Sequence, residues 1–478
     1  MKKILSLLLV LCLLCSMLAA CKDEPDPQDQ SSNPDLSGGE ETTDPDELGY
    51  EYLPEKDLEG YTWRLLMIDS EASTIFKKEE EIAGDAVNRA FFERDTWMME
   101  RYNITMESIP AGSRISPWIT TYYLSGDDMF DIGVLHTNDQ MASVISSGLS
   151  YDIRTLPYVD LTMPYYNQQA NEEYTILGKQ VMMNGDYPYC GGSFSMMLFN
   201  KTMMDSMGLE YPYQIVLDGD WTMDVFYEYC ANAYQDIDGV DGKTEGDIFG
   251  YAGVVPTGFF AGLGGSLLSK DENGAVIPSI VNDKNEQRYA KVVELMNQSW
   301  CFAEKSPDIN KNLYGTIQWF EGRTLFHYFQ RYSSDLVDIE TFDYGLAALP
   351  KYDEDQENYY APSAGGVAII GANIREPEKV GYILEAFGQI TYELLRPALI
   401  EQKREHRIIR DAESLEVYRM LQNCMVFSIT KNVDPSNVME SDQIVADCLK
   451  EDRPSLVAYA KNLEGMIKQS YTRFYYGN

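Results

Sequence analysis

The sequence predicts an α/β protein in which strands alternate with helices and form a mostly parallel sheet. Apolar residues make up 44% of the 478 residues and charged residues 24%, which is the balance of an ordinary soluble domain. From about Gly60 onward, short apolar runs of strand length alternate with longer runs of helical periodicity. The length suits two or three domains.

The first predicted elements lie between residues 61 and 148. Residues 61–68, 103–109 and 130–135 are apolar runs of strand length. Residues 84–102 carry apolar side chains at helical spacing, and a further helix is expected to end near Gly148. Strands and helices in this order form parallel sheets, whose ligands bind beyond the carboxyl ends of the strands.

A second set of elements is predicted after Ser193. Phe194–Phe199 is a strand candidate, Asn200 opens a helix, and Thr222 is placed to cap another. The run from Leu456 onward has one apolar stripe, which predicts an amphipathic helix packed on the folded body.

The charge balance excludes nucleic acid as a partner. The chain has 76 acidic and 38 basic residues, a formal net charge of -38, and no basic cluster to displace phosphate counterions. Only residues 4–20 are apolar enough to enter a bilayer, so a channel or transporter with several spans is excluded as well.

The N-terminus has the features of an export signal. Two lysines precede a long apolar run that ends Leu18-Ala19-Ala20-Cys21. This ending resembles the lipobox of bacterial lipoproteins, in which the peptidase cuts before the cysteine and the thiol carries a diacylglycerol. The alternatives are a transmembrane anchor and an ordinary secretory cut. The resemblance implies that residues 1–20 are removed and that Cys21 anchors the chain to the extracellular face of the cell membrane.

Residues 21–57 are predicted to be a disordered acidic tether. Residues 22–50 contain ten acids, four prolines and one base, and too little apolar surface to offset the entropy of ordering. The five cysteines beyond this segment show no CxxC pair and no zinc-type spacing. Disulfide pairing of some of them is possible in an exported chain, but we expect mostly buried free thiols at Cys190, Cys230, Cys301, Cys424 and Cys448.

Five stretches, taken in order, resemble the extracellular solute-binding proteins of ABC importers, of the maltose- and oligosaccharide-binding type. They are the lipobox with its acidic tether; Phe130-Asp131-Ile132 with a helix ending Ser147-Gly148-Leu149; Ser195–Lys201 with Trp221-Thr222; Phe320–Phe326 with Tyr344–Pro350; and Ala364–Ile370 with Glu376-Pro377-Glu378-Lys379.

The resemblance implies a two-lobed fold like that of periplasmic binding proteins, with hinge strands between discontinuous lobes that close on a solute. It places the N-terminal lobe at residues 58–193 plus 350–395 and the C-terminal lobe at residues 194–349 plus 396–478. It also implies a monomer that delivers its solute to the permease subunits of an ABC transporter.

Candidate ligand residues follow from the same family pattern. Sugar sites combine flat aromatic faces with planar polar groups. For His136 and Asp139 the alternative role is in a loop or helix cap, and for Arg331 it is a surface ion pair. For Phe259 and Tyr328 the alternative is a place in the core. The full set of candidates is His136, Asp139, Tyr189, Phe259, His327, Tyr328, Arg331 and Tyr360.

Residues 236–247 resemble an EF-hand-like calcium loop. Acids alternate around glycines, and the candidate ligands are Asp236, Asp238, Asp241 and Asp247. Val240 is an extra residue that moves Asp241 out of register, so the alternative is a solvated acidic turn. Any bound calcium would be structural, and no other cofactor is expected.

The competing functional class is a secreted, lipid-anchored carbohydrate-active hydrolase that uses two carboxylates. The chain has no H-E-x-x-H or G-x-S-x-G motif, and its three histidines are scattered at His136, His327 and His406. An adhesin or scaffold lacks the expected repeats. The sequence therefore predicts a receptor and not an enzyme: a lipid-anchored protein that captures a small solute, an oligosaccharide, for an ABC permease.

Overall fold

Two five-stranded sheets organise the folded part of the chain in the computed structural model. The structure describes residues 53–77, 85–135, 141–188, 193–253, 256–302, 316–329, 339, 341–364, 366–405, 409–427, 429–435, 443–450 and 453–476. The predicted signal peptide, Cys21 and most of the predicted tether lie outside these residues.

The strands are β1 (Tyr61–Met67), β2 (Ile104–Pro110), β3 (Ile132–Leu135), β4 (Thr175–Ile176), β5 (Lys179–Gln180), β6 (Met183–Asn184), β7 (Ser193–Phe194), β8 (Met196–Asn200), β9 (Phe249–Ala252), β10 (Leu268–Lys270), β11 (Val276–Pro278), β12 (Cys301–Phe302), β13 (Thr324–Phe329), β14 (Tyr344–Ala347), β15 (Ala361–Ala364), β16 (Val367–Ile369) and β17 (Met425–Phe427).

The helices are α1 (Asp69–Ala72), α2 (Ala86–Tyr102), α3 (Ser116–Ser125), α4 (Ala142–Ser146), α5 (Gln168–Glu173), α6 (Lys201–Met207), α7 (Tyr213–Asp218), α8 (Met223–Cys230), α9 (Pro256–Gly262), α10 (Asp283–Asn297), α11 (Thr316–Phe320), α12 (Pro377–Ile390), α13 (Arg396–Glu405), α14 (Ala412–Gln422), α15 (Thr430–Val433), α16 (Gln443–Lys450) and α17 (Leu456–Tyr476). A short 3₁₀ helix covers Ile153–Thr155, and a π-helical turn, Thr391–Leu395, joins α12 to α13.

The first sheet has the strand order β2-β1-β3-β16-β6. Strands β1, β2 and β3 are parallel, whereas β16 runs antiparallel to both of its neighbours, β3 and β6. The second sheet has the order β12-β9-β13-β8-β14, with β8 antiparallel to β13 and β14. This confirms the predicted α/β class with its parallel strands.

A three-stranded sheet, β17-β15-β7, lies where the chain passes between the two larger sheets, and we call it the junction sheet. Strand β7 continues through Ser195 into β8 of the second sheet, and β15 is followed by β16 of the first sheet. The predicted strand Phe194–Phe199 is therefore divided at Ser195. The backbone N–H and the hydroxyl of Ser195 both donate to the carbonyl of Pro362, at 2.9 and 2.8 Å.

Local sequence signals explain where several helices begin. The Asp85 carboxylate accepts the backbone N–H of Asn88 at the start of α2. Asn200 and Thr222 accept backbone N–H groups at the starts of α6 and α8, as the sequence predicts. Such caps satisfy donors that have no partner within the helix.

The described residues also bear on the predictions about membrane spans and cysteines. Among the described ranges, no helix is long and apolar enough to cross a membrane. Cys230, Cys301 and Cys424 are free thiols, Cys230, Cys301 and Cys448 are buried, and Cys190 lies outside the described residues. The lobe boundaries stay a prediction.

Candidate functional site

The carboxyl ends of strands from the second sheet meet the junction sheet. Strand β13 ends at Phe329, which pairs with Met196 at the start of antiparallel β8. Ser195 therefore lies at the carboxyl edge of β13. Helix α9 follows β9 and packs against the same edge. In α/β sheets this edge is where ligands bind, and we call the region the carboxyl-edge site.

Tyr328 is fixed at the carboxyl-edge site by a short polar chain. Its hydroxyl lies 2.7 Å from the hydroxyl of Ser195, which in turn donates to the carbonyl of Pro362. Its ring lies 6.1 Å from that of Phe259, centroid to centroid. Gly258 lets the two elements approach, because a Cβ at that position would overlap the Tyr328 hydroxyl. Burial raises the pKa of Tyr328, so the phenol stays neutral and available as a hydrogen-bond donor.

The structure brings three of the predicted residues together around α9. Phe259 lies on the helix, Tyr328 packs against it, and Tyr360 lies beside Gly264, just after the helix ends. Phe259 is 1% exposed and Tyr328 5%, whereas Tyr360 is half-buried. As described, the first two are core-packed aromatics, and their role in ligand binding stays a prediction.

His327 faces away from this group because successive side chains of a strand alternate. Its ring stacks on that of Trp319 with centroids 5.5 Å apart, and its Nδ1–H donates to the carbonyl of Ala252 at 3.1 Å. Burial lowers the pKa of His327 to about 4, so the ring is neutral near pH 7. In this position the side chain joins β13 to β9.

Four of the predicted ligand residues, His136, Asp139, Tyr189 and Arg331, lie outside the described residues. Two of them come directly after described strands that reach a carboxyl edge. β3 ends at Leu135, one residue before His136, and β13 ends two residues before Arg331. Their predicted contact with a ligand stays a prediction.

The opposite face of the junction sheet borders a pocket of about 400 Å³. Phe194 points into it, while the next residue, Ser195, points to Tyr328. Alternation along the strand therefore separates this pocket from the carboxyl-edge site. None of its residues is among the ligand residues predicted from the sequence, although the run Tyr165-Tyr166-Asn167-Gln168-Gln169 concentrates aromatic and amide side chains in a way that indicates such a pocket.

The acidic loop brings together three of the four predicted calcium ligands. Carboxylate oxygens of Asp236, Asp238 and Asp247 lie within 4.8 Å of one another, and Asp241 is not in this group. Asp247 is buried, and its carboxylate accepts the backbone N–H of Thr244 at 3.0 Å. Hydrogen bonds from the Thr244 hydroxyl and the Val240 N–H lower the pKa of Asp238, so its carboxylate is ionised. An all-carboxylate oxygen set suits calcium chemically.

No protein-family model matches the sequence, and no curated protein is significantly similar to it. Solved structures do match. A sugar transporter of Rhizobium etli in an open conformation has a TM-score of 0.56 at 14% identity, over 86% of this chain and 99% of that one. The galacto-N-biose-/lacto-N-biose I-binding protein of an ABC transporter of Bifidobacterium longum has a TM-score of 0.54 at 10% identity, over 87% and 98%. An ABC substrate-binding protein of Listeria monocytogenes in complex with cycloalternan has a TM-score of 0.50 at 15% identity, over 86% and 99%.

The fold is that of ABC substrate-binding proteins. This confirms the fold that the family resemblance implies, because the match spans more than four-fifths of the chain and nearly the whole of each neighbour. At 10–15% identity, the likeness establishes the fold alone and transfers no binding residue from those proteins to this one.

Proposed function

We propose that this chain is the solute-binding receptor of an ABC importer and that it captures an oligosaccharide. The observation that carries the proposal is the shared fold of two α/β sheets linked through a junction sheet. Two crossings, β7 to β8 and β15 to β16, run close together through that sheet. Paired short crossings of this kind suit hinge closure of two rigid bodies around a ligand.

Two of the contacts that join segments around the two sheets are polar and involve the main chain. The N–H of Leu177, in the β4–β5 hairpin, donates to the carbonyl of Gly274, in the β10–β11 hairpin, at 2.9 Å. The Lys270 ammonium donates to the carbonyl of Glu172 at 2.6 Å. These are polar contacts to exposed main chain, and water can replace them at modest cost when the segments part.

An oligosaccharide is the solute class that the chain and its neighbours favour together. Two of the fold neighbours bind carbohydrate, lacto-N-biose in one case and cycloalternan in the other. The net charge of -38 disfavours a strongly anionic solute. Tyr360, half-buried beside α9, offers an aromatic face of the kind that sugars pack on.

Titration calorimetry and thermal-shift measurements against a panel of neutral oligosaccharides test the proposal. We expect at least one sugar to bind and to raise the free energy of unfolding by about 2.7 kcal/mol at a hundredfold excess over its Kd. The sugar must be recovered intact after binding. Hydrolysis of a panel sugar, or the absence of binding by every sugar, contradicts the receptor function and favours the hydrolase alternative.

We also propose that Cys21 carries the lipid that holds the receptor at the cell surface. Replacing Cys21 with alanine is expected to abolish incorporation of labelled fatty acid and to shift the protein from the membrane to the soluble fraction, because no acyl chain remains to anchor it. Fractionation and mass spectrometry of the N-terminus measure this. Cys12→Ala, the same substitution within the apolar run, is the control and should leave anchoring unchanged. Equal membrane retention of both variants contradicts the proposal.

Structural calcium in the acidic loop is a further proposal, resting on the three converging carboxylates. We expect millimolar calcium to raise the Tm of the wild type relative to EDTA, since an ion that binds only the folded form stabilises it. Asp238→Asn should remove most of that shift. Asp241→Asn, outside the cluster, is the matched control and should retain it. A wild type insensitive to calcium, or equal losses in both variants, shows a solvated acidic turn instead.

A further inference from the structure

The pocket on the far face of the junction sheet is built from two distant parts of the chain. One side is formed by residues from 162–169 and 184–186, and the other by residues from 392–400 and 418–425. Phe194 of strand β7 lies between the two sides. We call it the tyrosine–amide pocket. Its volume of about 400 Å³ is in the range of small-molecule sites in proteins.

A partly buried ion pair joins the two sides of the pocket. The Asp186 carboxylate has no solvent exposure and accepts Nε and Nη2 of Arg396 at 2.9 and 2.7 Å. The guanidinium also lies 4.7 Å from the centroid of the Tyr392 ring. Because the two charges compensate each other, the pocket presents a polar but electrically balanced wall.

Aromatic rings on the walls are held in fixed orientations. Tyr165 and Tyr166 both donate their hydroxyls to the carboxylate of Glu385, which leaves their rings to line the pocket. Phe194 and Tyr418 pack together with centroids 5.2 Å apart. Each of these four rings is at most 6% exposed, so together they form a rigid, packed wall that presents little apolar area to the pocket.

The rim carries amide groups that are free to bind a ligand. Within the part of the chain that the structure describes, the side-chain amides of Gln169, Gln422 and Asn423 form no hydrogen bond. Each amide offers two donors and one acceptor in a plane, which matches vicinal hydroxyls. Gln169 lies on one side of the pocket and the other two lie on the opposite side, so a ligand can be held from both.

We infer that the tyrosine–amide pocket is a second ligand site that takes a neutral polyhydroxylated molecule of one or two sugar rings. A rigid aromatic wall, free rim amides and a balanced ion pair together suit such a ligand, with the amides supplying most of the contacts. A simple anion is disfavoured, because the guanidinium of Arg396 is already neutralised by Asp186. The site is separate from the carboxyl-edge site, which lies on the other face of the junction sheet.

Calorimetric titration of the full mature chain with glucose and with maltose tests this site. Gln422→Trp fills the pocket and should abolish one binding event, and Gln422→Ala should raise the Kd of the same event at least tenfold. Gln214→Trp and Gln214→Ala make the same changes at an exposed position of helix α7, away from the pocket, and should leave every binding event unchanged.

Thermal melts accompany the titrations. If Gln422→Trp fails to fold, the double variant Gln169→Ala/Gln422→Ala decides, since it only shortens two rim side chains. If the Gln422 variants lose one calorimetric binding event and keep another, the protein has two sugar sites. If the wild type shows a single binding event and the variants lose it, that event takes place in the tyrosine–amide pocket. The inference is overturned if neither sugar binds, or if every event keeps its wild-type Kd in the Gln422 variants.

Discussion

Replacing Arg94 with methionine is expected to destabilise the folded protein by about 3–5 kcal/mol, the cost of breaking a buried ion pair from one side. Arg94 has no solvent exposure. Its Nε and Nη2 donate to Asp95 at 2.8 and 2.6 Å, and its Nη1 donates to the carbonyl of Pro188 at 2.6 Å and to the hydroxyl of Thr391 at 3.3 Å. The Arg94 side chain thus joins α2 to Pro188, which precedes strand β7, and to the π-helical turn at Thr391.

Chemical denaturation of both proteins measures the loss, with Arg114→Met as the control. Arg114 is exposed, so the same substitution there should cost less than about 0.5 kcal/mol. A loss of similar size in both variants would show that Arg94 is not a structural anchor.

The pH dependence of the Arg94 variant provides a second, independent reading. Burial raises the pKa of Asp95, and the neighbouring Arg94 counteracts that rise. Without Arg94, the pKa in the folded state rises further above that of the unfolded chain. A carboxyl group with a raised folded pKa contributes stability at low pH that is lost as the pH rises. We therefore expect the deficit of the variant, relative to wild type, to be smaller at pH 5 than at pH 8.

Asp131→Ala is expected to have an effect of the same order, about 3–5 kcal/mol. Asp131 is buried at the start of β3 and accepts the backbone N–H of Arg64 at 2.7 Å, its guanidinium Nη2 at 2.6 Å and the hydroxyl of Tyr61 at 2.7 Å. Removing the carboxylate leaves the Arg64 backbone N–H and the Tyr61 hydroxyl without this acceptor in a largely buried place, and leaves the guanidinium with Asp128 alone. The loss should appear as a lower denaturation midpoint with an unchanged m-value.

A neighbouring carboxylate on the same arginine is the control for this prediction. Asp128 also contacts the Arg64 guanidinium, at 3.2 Å, but its side chain is 19% exposed. This ion pair is partly exposed and so contributes less than the buried one, and Asp128→Ala should cost less than about 1 kcal/mol. If the two alanine variants are equally destabilised, burial does not determine how much each carboxylate on Arg64 contributes to stability, and the prediction is wrong.

The elements that the sequence predicts well are those set by local signals. The α2 helix, predicted over 84–102, spans Ala86–Tyr102, because Asp85 caps its first turn and Asn103 ends it in the left-handed region at φ 47°. Strand β1, predicted over 61–68, spans Tyr61–Met67. In each case the residues that decide the boundary lie within a few positions of it.

Burial within the site is what the sequence does not reveal. Phe259 follows β9 in the chain, whereas Tyr328 lies within β13, one residue before the end of that strand. Whether an aromatic ring there faces solvent depends on α9, which packs both rings into the core. The tyrosine–amide pocket was missed for a related reason. Gln169 and Gln422 are far apart in the chain, and only the tertiary fold makes them neighbours.

The place of β16 in the first sheet has a consequence for the order in which the chain folds during synthesis. Strand β16, at Val367–Ile369, separates β3 from β6 in the first sheet, whereas all strands of the second sheet lie between Met196 and Ala347. A chain that emerges from its N-terminus can therefore complete the second sheet while the first still lacks an inner strand. Until residue 369 arrives, the facing edges of β3 and β6 remain open to pairing with other chains. We expect this interval to be the stage of folding at which the protein is most prone to aggregation.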